Sequence, residues 1–228
     1  MTILEASDPD CIDPDEAAEL LRPAPWQRLV VVGDSVAAGV REPVSGYRDL
    51  SFADRFAEAL AATRPEFVYR NLGVRELTAS AITATQLRAA LDLRPDIALV
   101  AAGGNDALGR EYDPGQLRRD LEGLIRPLAA AGALVVTMGL FDLPRSGLMT
   151  PKLTGLMTHR MDELDEITAA LTAAVGGIHV DTHHHPRGAD PDLYASDLLH
   201  GNAMGHAVAF AAIVRTLAGA LATSGSHP

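Results

Sequence analysis

Five short apolar segments alternate with longer amphipathic segments along this 228-residue chain, and no other feature constrains its fold as strongly. Most of the short segments lack in–out alternation, so they predict strands that are buried on both faces. They span residues 29–32, 67–71, 96–101, 133–138 and 178–180. Helices are predicted at residues 46–62, 79–91, 114–131, 158–175 and 201–222. Strands joined through helices by right-handed crossovers predict a parallel sheet in a three-layer α/β/α sandwich.

The chain divides into an N-terminal arm and one domain. Residues 1–25 predict an arm whose first 12 residues are loose and whose short helix extends from Pro14 to about Leu21. Asp13 stands at the cap position of that helix, and Pro14 suits its first turn. Residues 26–228 have a length that suits a single well-buried α/β domain.

Charge, cysteine content and apolar stretches indicate which partners and which cellular location to expect. The net charge of -11 disfavours nucleic acid and anionic lipid surfaces. The first residues lack the basic and apolar regions of a secretory signal, and the single cysteine, Cys11, excludes an internal disulfide. The longest apolar stretch, at about 203–222, contains His206 and Arg215, which argues against stable membrane insertion. We therefore expect a cytoplasmic protein.

Chemically active residues follow the predicted strands or precede the last helix. Ser35 follows the first strand, Gly73 the second and Asn105 the third, while Asp197 and His200 precede the last helix. The carboxyl ends of parallel strands meet at one edge of a sheet. We therefore expect all five residues on one rim.

A serine becomes a nucleophile only when a base removes its proton. In Asp197-x-x-His200, the carboxylate can bond Nδ1–H of the imidazole and direct Nε2 toward Ser35. Asp181-x-x-His184 has the same spacing. His200 is the preferred base because it directly precedes the last helix, whereas Asp181 ends a strand and is expected to support the site from behind.

The remaining polar motifs suggest an oxyanion hole and raise the question of a metal. The side-chain amide of Asn105, in a Gly-Gly-Asn-Asp turn, can donate to an oxyanion, and the N–H groups of Ser35 and Gly73 are further candidates. His183-His184-His185 resembles a metal-binding tract, but adjacent histidines do not all face one ion and no nearby cluster completes a set. A solvated loop is expected there, with no metal and no cofactor.

Four motifs together resemble the four blocks of the SGNH (GDSL-type) hydrolases, a family of esterases and lipases. They are Val32-Gly33-Asp34-Ser35, Asn71-Leu72-Gly73, Gly103-Gly104-Asn105-Asp106 and Asp197-Leu198-Leu199-His200. The resemblance spans about residues 28–220. It implies a flavodoxin-like sandwich with a five-stranded parallel sheet, a Ser35–His200–Asp197 triad, and an oxyanion hole from Ser35, Gly73 and Asn105. One departure is Gly201, which stands where the family often has proline.

The expected function is hydrolysis of small-molecule carboxylic esters or thioesters. Two alternatives stay open: an acyltransferase that uses the same triad, and a non-catalytic binding protein that kept the fold. The segment 141–159 is apolar and contains Met149 and Met157. It predicts either a substrate flap over an apolar acyl group or a connection that packs on the core.

Overall fold

The sheet of this protein is five-stranded and parallel. The structure, a computed structural model, describes residues 4–224, so predictions for residues 1–3 and 225–228 lie outside the described residues. The strands are β1 Arg28–Gly33, β2 Val68–Asn71, β3 Ile97–Ala101, β4 Leu134–Met138 and β5 Ile178–Val180. Their order is β2-β1-β3-β4-β5, and every neighbouring pair is parallel. The predicted parallel sheet is confirmed.

Helices cover both faces of the sheet. Within residues 4–224 they are α1 Pro14–Leu20, α2 Phe52–Ala61, α3 Ala79–Asp92, α4 Gly104–Leu108, α5 Pro114–Ala130, α6 Pro151–Ala174 and α7 Ala203–Ser224. The same described residues also form three short 3-10 helices, Glu5–Ser7, Leu143–Ser146 and Pro191–Leu193. The helices α1, α2 and α7 pack on one face, and α3, α5 and α6 pack on the other. This is the three-layer α/β/α sandwich that the alternation predicts.

Successive strand residues enter different cores, because side chains alternate across a strand. Leu29 and Val31 of β1 pack with Phe210 of α7, whereas Val30 and Val32 pack with the other helical layer. All four β1 residues are fully buried. Burial of one such side chain stabilises the fold by about 1.5–3 kcal/mol. Both faces of the strand are therefore apolar, and this explains the unalternating sequence.

Two predicted helices begin at different residues in the structure. The helix expected from residue 46 begins at Phe52, because the hydroxyl of Ser51 accepts a backbone N–H of the first turn. The helix expected from residue 158 begins at Pro151, a residue that fits the first helical position because it has no N–H. The earlier start of α6 removes half of the predicted flap from the loop.

The N-terminal arm is packed where the structure describes it, which corrects the loose arm expected from the sequence. The carboxylate of Glu5 pairs with Arg55, whose side chain is 1% exposed. Cys11 and Ile12 are buried. The physical reason is the guanidinium of Arg55, which lies inside the domain and needs a counter-charge.

One segment of α7 has the length and composition of a membrane span. Ala203–Thr223 is that segment, and 56% of its most apolar window is buried inside the protein. Phe210, Val214 and Leu217 of this helix lie in the core beside the sheet. Its apolar character is accounted for by packing within the fold.

Candidate active site

A tight turn after β1 places Ser35 at the rim of the sheet. Gly33 has a φ of +149°, and a Cβ there would lie 1.9 Å from the carbonyl oxygen of Ala101 in β3. Only glycine allows the two strands to approach so closely before the chain turns. Ser35 follows two residues later and is 8% exposed. Because β1 lies between β2 and β3, this is the switch point at which open α/β sheets bind ligands.

Ser35, His200 and Asp197 form a continuous hydrogen-bonded series. Nε2 of His200 lies 2.8 Å from Oγ of Ser35, and Nδ1 lies 2.7 Å from Oδ2 of Asp197. Since a carboxylate can only accept, Nδ1 carries the proton and Nε2 accepts from the serine hydroxyl. The structure thus brings Ser35 beside His200, although the sequence separates these two residues by 165 positions.

Local backbone geometry keeps the Asp197 carboxylate ionised. Partial burial raises the pKa of Asp197, but hydrogen bonds from the His200 imidazole and from the N–H groups of His200 and Leu199 outweigh it. The net pKa lies below the usual range of an aspartate. Leu198, with a φ of 58°, makes the turn that folds the peptide around the carboxylate. An ionised Asp197 can stabilise a positively charged imidazole.

Asn105 lies on the same rim, in the first turn of α4. Its side-chain Nδ2 donates to the carbonyl oxygen of Leu77 at 3.0 Å and lies 3.4 Å from Oδ2 of Asp34. Burial raises the pKa of Asp34 to about 6, although a hydrogen bond from the Val36 N–H acts against this. Asp34 belongs to the Gly-Asp-Ser turn, but sequence analysis assigned it no role. Its burial, which only the fold reveals, makes it part of the site.

Gly73 is not among the residues that line the apolar cleft beside Ser35. Its N–H donates to Oδ1 of Asn71 at 2.9 Å, and a Cβ on it would lie 2.4 Å from the backbone nitrogen of Ala38. The glycine is therefore required for close packing of the β2 loop against the turn after Ser35. Glu76, three residues later, has a φ of 65°, which is strained for a residue with a side chain.

An apolar cleft opens beside Ser35 and His200. Asn105 is the only residue with a side-chain amide among the described residues that line it. Most of the lining is apolar and comes from β4, α2, α7 and the loop after β4. The apolar lining residues from all elements, which also include the turn after β1, α4, α6 and the segment before α7, are Val36, Val40, Phe52, Leu108, Met138, Leu140, Phe141, Leu143, Pro144, Met149, Met161, Leu199 and Ala209. The cleft therefore suits an uncharged group attached to a reacting carbonyl.

The predicted flap, 141–159, divides into two parts. Phe141, Leu143, Pro144 and Met149 line the cleft. Residues 151–159 instead form the first turns of α6, where Leu153 is 47% exposed. The first part is thus a cleft wall. The second part is a largely exposed helical segment, which matches neither the flap nor a connection that packs on the core.

Neither residue of the second Asp-x-x-His pair lines the cleft beside Ser35. Nδ1 of His184 lies 2.8 Å from Oδ1 of Asp181, and both side chains are more than half exposed. The neighbouring His183 is buried and contacts Asp162 instead. The three adjacent histidines therefore do not converge, but the burial of His183 corrects the solvated loop expected there.

Comparison with known proteins places the chain in a family. Residues 31–208 match the model of the GDSL-like lipase/acylhydrolase family. No curated protein matches the chain.

Several solved structures are similar in fold. Axe2, an acetylxylan esterase from Geobacillus stearothermophilus, has a TM-score of 0.66 at 20% identity over 84% of this chain and 94% of its own. TesA has a TM-score of 0.64 at 23% identity over 84% and 98%. LAE5, an α/β hydrolase enzyme from the metagenome of Lake Arreo, Spain, has 0.66 at 20% over 86% and 96%.

The family match covers well over half of the chain and includes Ser35, Asn105, Asp197 and His200. The parallel sheet and the helices on both of its faces agree with it. The chain belongs to the GDSL-like lipase/acylhydrolase family and is an ester hydrolase.

Proposed function

We propose that this ester hydrolase acts through Ser35 as nucleophile, His200 as general base and Asp197 as the residue that orients the histidine. One observation carries the proposal: the two hydrogen bonds that His200 makes, 2.8 Å to Ser35 and 2.7 Å to Asp197. They leave Nε2 unprotonated and directed at the serine hydroxyl. This is the arrangement that serine hydrolases need.

The reaction then proceeds by acyl transfer to the enzyme and to water. His200 takes the Ser35 proton while Oγ attacks the ester carbonyl, and the same proton passes to the departing alcohol. Water next attacks the acyl group on Ser35 with His200 again as base, and the carboxylic acid is released. The proton returns to Ser35, so no cofactor is consumed.

The oxyanion of the tetrahedral intermediate needs hydrogen-bond donors on the side of the rim facing Asn105. We assign the side-chain amide of Asn105 and the backbone N–H of Ser35 to this role. Gly73, which the sequence suggests as a third donor, can take part only if its N–H leaves Asn71. Each donor of this kind lowers the barrier by about 3 kcal/mol.

The acyl group of the substrate is proposed to occupy the apolar cleft. The lining is formed mainly by aliphatic, aromatic and methionine side chains, and Phe141 and Met149 stand in its wall. Each methylene buried there contributes about 0.8 kcal/mol, which corresponds to a rise in kcat/KM of about fourfold. Esters of longer acyl chains should therefore react faster than acetate until the cleft is filled.

A series of p-nitrophenyl esters from acetate to palmitate tests this assignment, with Ser35→Ala as the blank. We expect kcat/KM to rise with chain length and then level off, and Ser35→Ala to lose activity at every length. A fluorophosphonate should label one serine per chain. Labelling that persists in Ser35→Ala contradicts the choice of nucleophile.

Two variants within residues 141–159 distinguish the contribution of the cleft wall to acyl-chain preference from that of the first turns of α6. Phe141→Ala should weaken the preference for longer chains, whereas Leu153→Ala, which changes an exposed residue outside the lining, should leave it unchanged. Equal effects of both variants would contradict the acyl assignment. Product analysis with an added acceptor alcohol distinguishes hydrolysis from acyl transfer on the same triad.

A further inference from the structure

We infer that Arg160 of α6 is a positioning residue for ester hydrolysis, because it holds the short helix α4 and thereby orients Asn105 toward the oxyanion. The inference rests on the proposed function, in which the Asn105 amide is an oxyanion donor. Arg160 is not among the described residues that line the cleft. It therefore acts on the reaction through α4, without touching the substrate.

Arg160 binds the carboxyl-terminal end of α4. Its Nη1 donates to the carbonyl oxygen of Ala107 at 3.0 Å and to that of Gly109 at 2.7 Å. Ala107 belongs to the last turn of α4, and Gly109 is the residue that caps the helix. Carbonyl groups at a helix C-terminus carry partial negative charge and lack donors within the helix. The guanidinium of Arg160 supplies both a positive charge and hydrogen bonds at this end.

The helix α4 depends on contacts with other elements because it is short. It has five residues, Gly104–Leu108, and a helix of that length is not stable by itself, since nucleation costs more than its few hydrogen bonds return. At its start, the carboxylate of Asp106 accepts the N–H of Ala79 at 2.9 Å. Arg160 holds the other end. Without Arg160, α4 can tilt about its start, and a shift of about 1 Å in a catalytic group can cost about 10²-fold in rate.

Arg160 is itself held in place by Tyr112. The guanidinium carbon lies 4.9 Å from the centroid of the Tyr112 ring, which is within the range of a cation–π contact. The Tyr112 hydroxyl donates to Oε2 of Glu163 at 2.8 Å, and Glu163 lies one turn after Arg160 on α6. A planar guanidinium can stack on a ring while it donates to two carbonyl groups, and an ammonium group cannot. The arrangement therefore requires arginine at position 160.

The choice of substrate separates the effect on Asn105 from an effect on the cleft wall. The two carbonyl groups that bind Arg160 flank Leu108, which lines the cleft. Movement of α4 would therefore also move this part of the wall. With p-nitrophenyl acetate this second effect is small, because the acyl group has a single methyl group to bury. The value of kcat for acetate consequently reports the oxyanion donor.

A double-mutant cycle between Arg160 and Asn105, measured with p-nitrophenyl acetate, tests the inference. Arg160→Met should lower kcat by at least about tenfold and change KM by less than about twofold. In the Asn105→Ala background the same substitution should change kcat by less than about twofold, because the donor that Arg160 positions is already absent. Arg88→Met is the matched control and should leave kcat unchanged, since Arg88 pairs with Asp92 on an exposed face of α3.

Arg160→Lys keeps the positive charge and should lose less activity than Arg160→Met. It completes the cycle if Arg160→Met does not fold, and the melting temperature of each variant reports its folding. An equal loss of kcat in both backgrounds overturns the inference, because Arg160 would then act on the fold as a whole. An unchanged kcat in folded Arg160→Met also overturns it. If Asn105→Ala alone leaves kcat unchanged, the proposed oxyanion donor is wrong, and the inference fails with it.

Discussion

Asn105 is the residue whose proposed contribution to the reaction can be isolated most directly. Its amide is held by the carbonyl oxygen of Leu77, so it is oriented before substrate arrives. A donor directed at the oxyanion acts in the transition state rather than in the ground state. Asn105→Ala should therefore lower kcat by about 10²–10³-fold and change KM little.

Steady-state kinetics with a p-nitrophenyl ester measures this effect, and an unchanged melting temperature shows that α4 is intact. A variant that raises KM with an unaltered kcat would assign Asn105 to substrate binding instead.

His206 is a second residue with a specific chemical state. Its Nδ1 accepts from the N–H of Phe52 at 3.1 Å, and its Nε2–H donates to the carbonyl oxygen of Val40. The ring stacks on Phe52 with centroids 5.4 Å apart. Burial lowers the pKa of His206 to about 4, with Arg41 and Arg55 acting in the same direction. The folded protein therefore holds this histidine neutral.

This state makes folding stability depend on pH in a defined direction. Between pH 6.5 and 4 the unfolded chain protonates His206 and the folded chain does not, so stability falls as the pH falls. The contribution lost over this window is roughly 3 kcal/mol. Denaturant unfolding should show that the natural chain has a higher free energy of unfolding than His206→Gln near neutral pH. This difference in free energy should shrink toward pH 4. If the free energies of unfolding of the two proteins change in parallel with pH, His206 is not the origin of the pH dependence.

Among the elements, the N-terminal segment contributes more than its peripheral position indicates. Arg55 of α2 pairs with Glu5 and also donates to the carbonyl oxygens of Arg48 and Leu50. The Arg55 side chain is 1% exposed, so removal of the Glu5 carboxylate leaves a buried cation without its counter-charge. Glu5→Gln should lower the free energy of unfolding by about 3–5 kcal/mol.

Chemical denaturation of Glu5→Gln measures this loss. Glu19→Gln is the matched control, because Glu19 pairs with Arg22 at an exposed site and its loss should cause no measurable change. Similar stabilities of the two variants would show that the segment is not anchored through Arg55.

At the scale of the whole molecule, the net charge of -11 acts on substrates before they reach the cleft. An acidic surface repels anionic esters and leaves neutral esters unaffected. Added salt screens this repulsion, because the Debye length falls to about 10 Å at 0.1 M. We expect kcat/KM for an anionic ester to rise with ionic strength while that for a neutral ester of equal chain length stays constant. Equal salt dependence of both substrates would contradict this prediction.

The fold was predictable from the sequence because its determinants are local. Unalternating apolar segments such as 29–32 identify strands covered on both faces, and parallel strands bring Ser35 and Asn105 to one edge. The start of α6 at Pro151 was also marked locally, by a proline suited to the first turn. The packing of the N-terminal segment was not marked by any local pattern, because Glu5 meets its partner Arg55 only when α2 is in place.

The sequence by itself determined the sheet, the helical layers and the rim on which Ser35, Asn105 and His200 lie, since periodicity and motif order depend on neighbours along the chain. Tertiary structure decided which Asp-x-x-His pair meets Ser35, because the same spacing occurs twice and only packing distinguishes them. It also directed the Gly73 N–H to Asn71 and brought Arg160 of α6 to the end of α4. Contacts between distant residues depend on how helices pack against the sheet, and no local pattern encodes that.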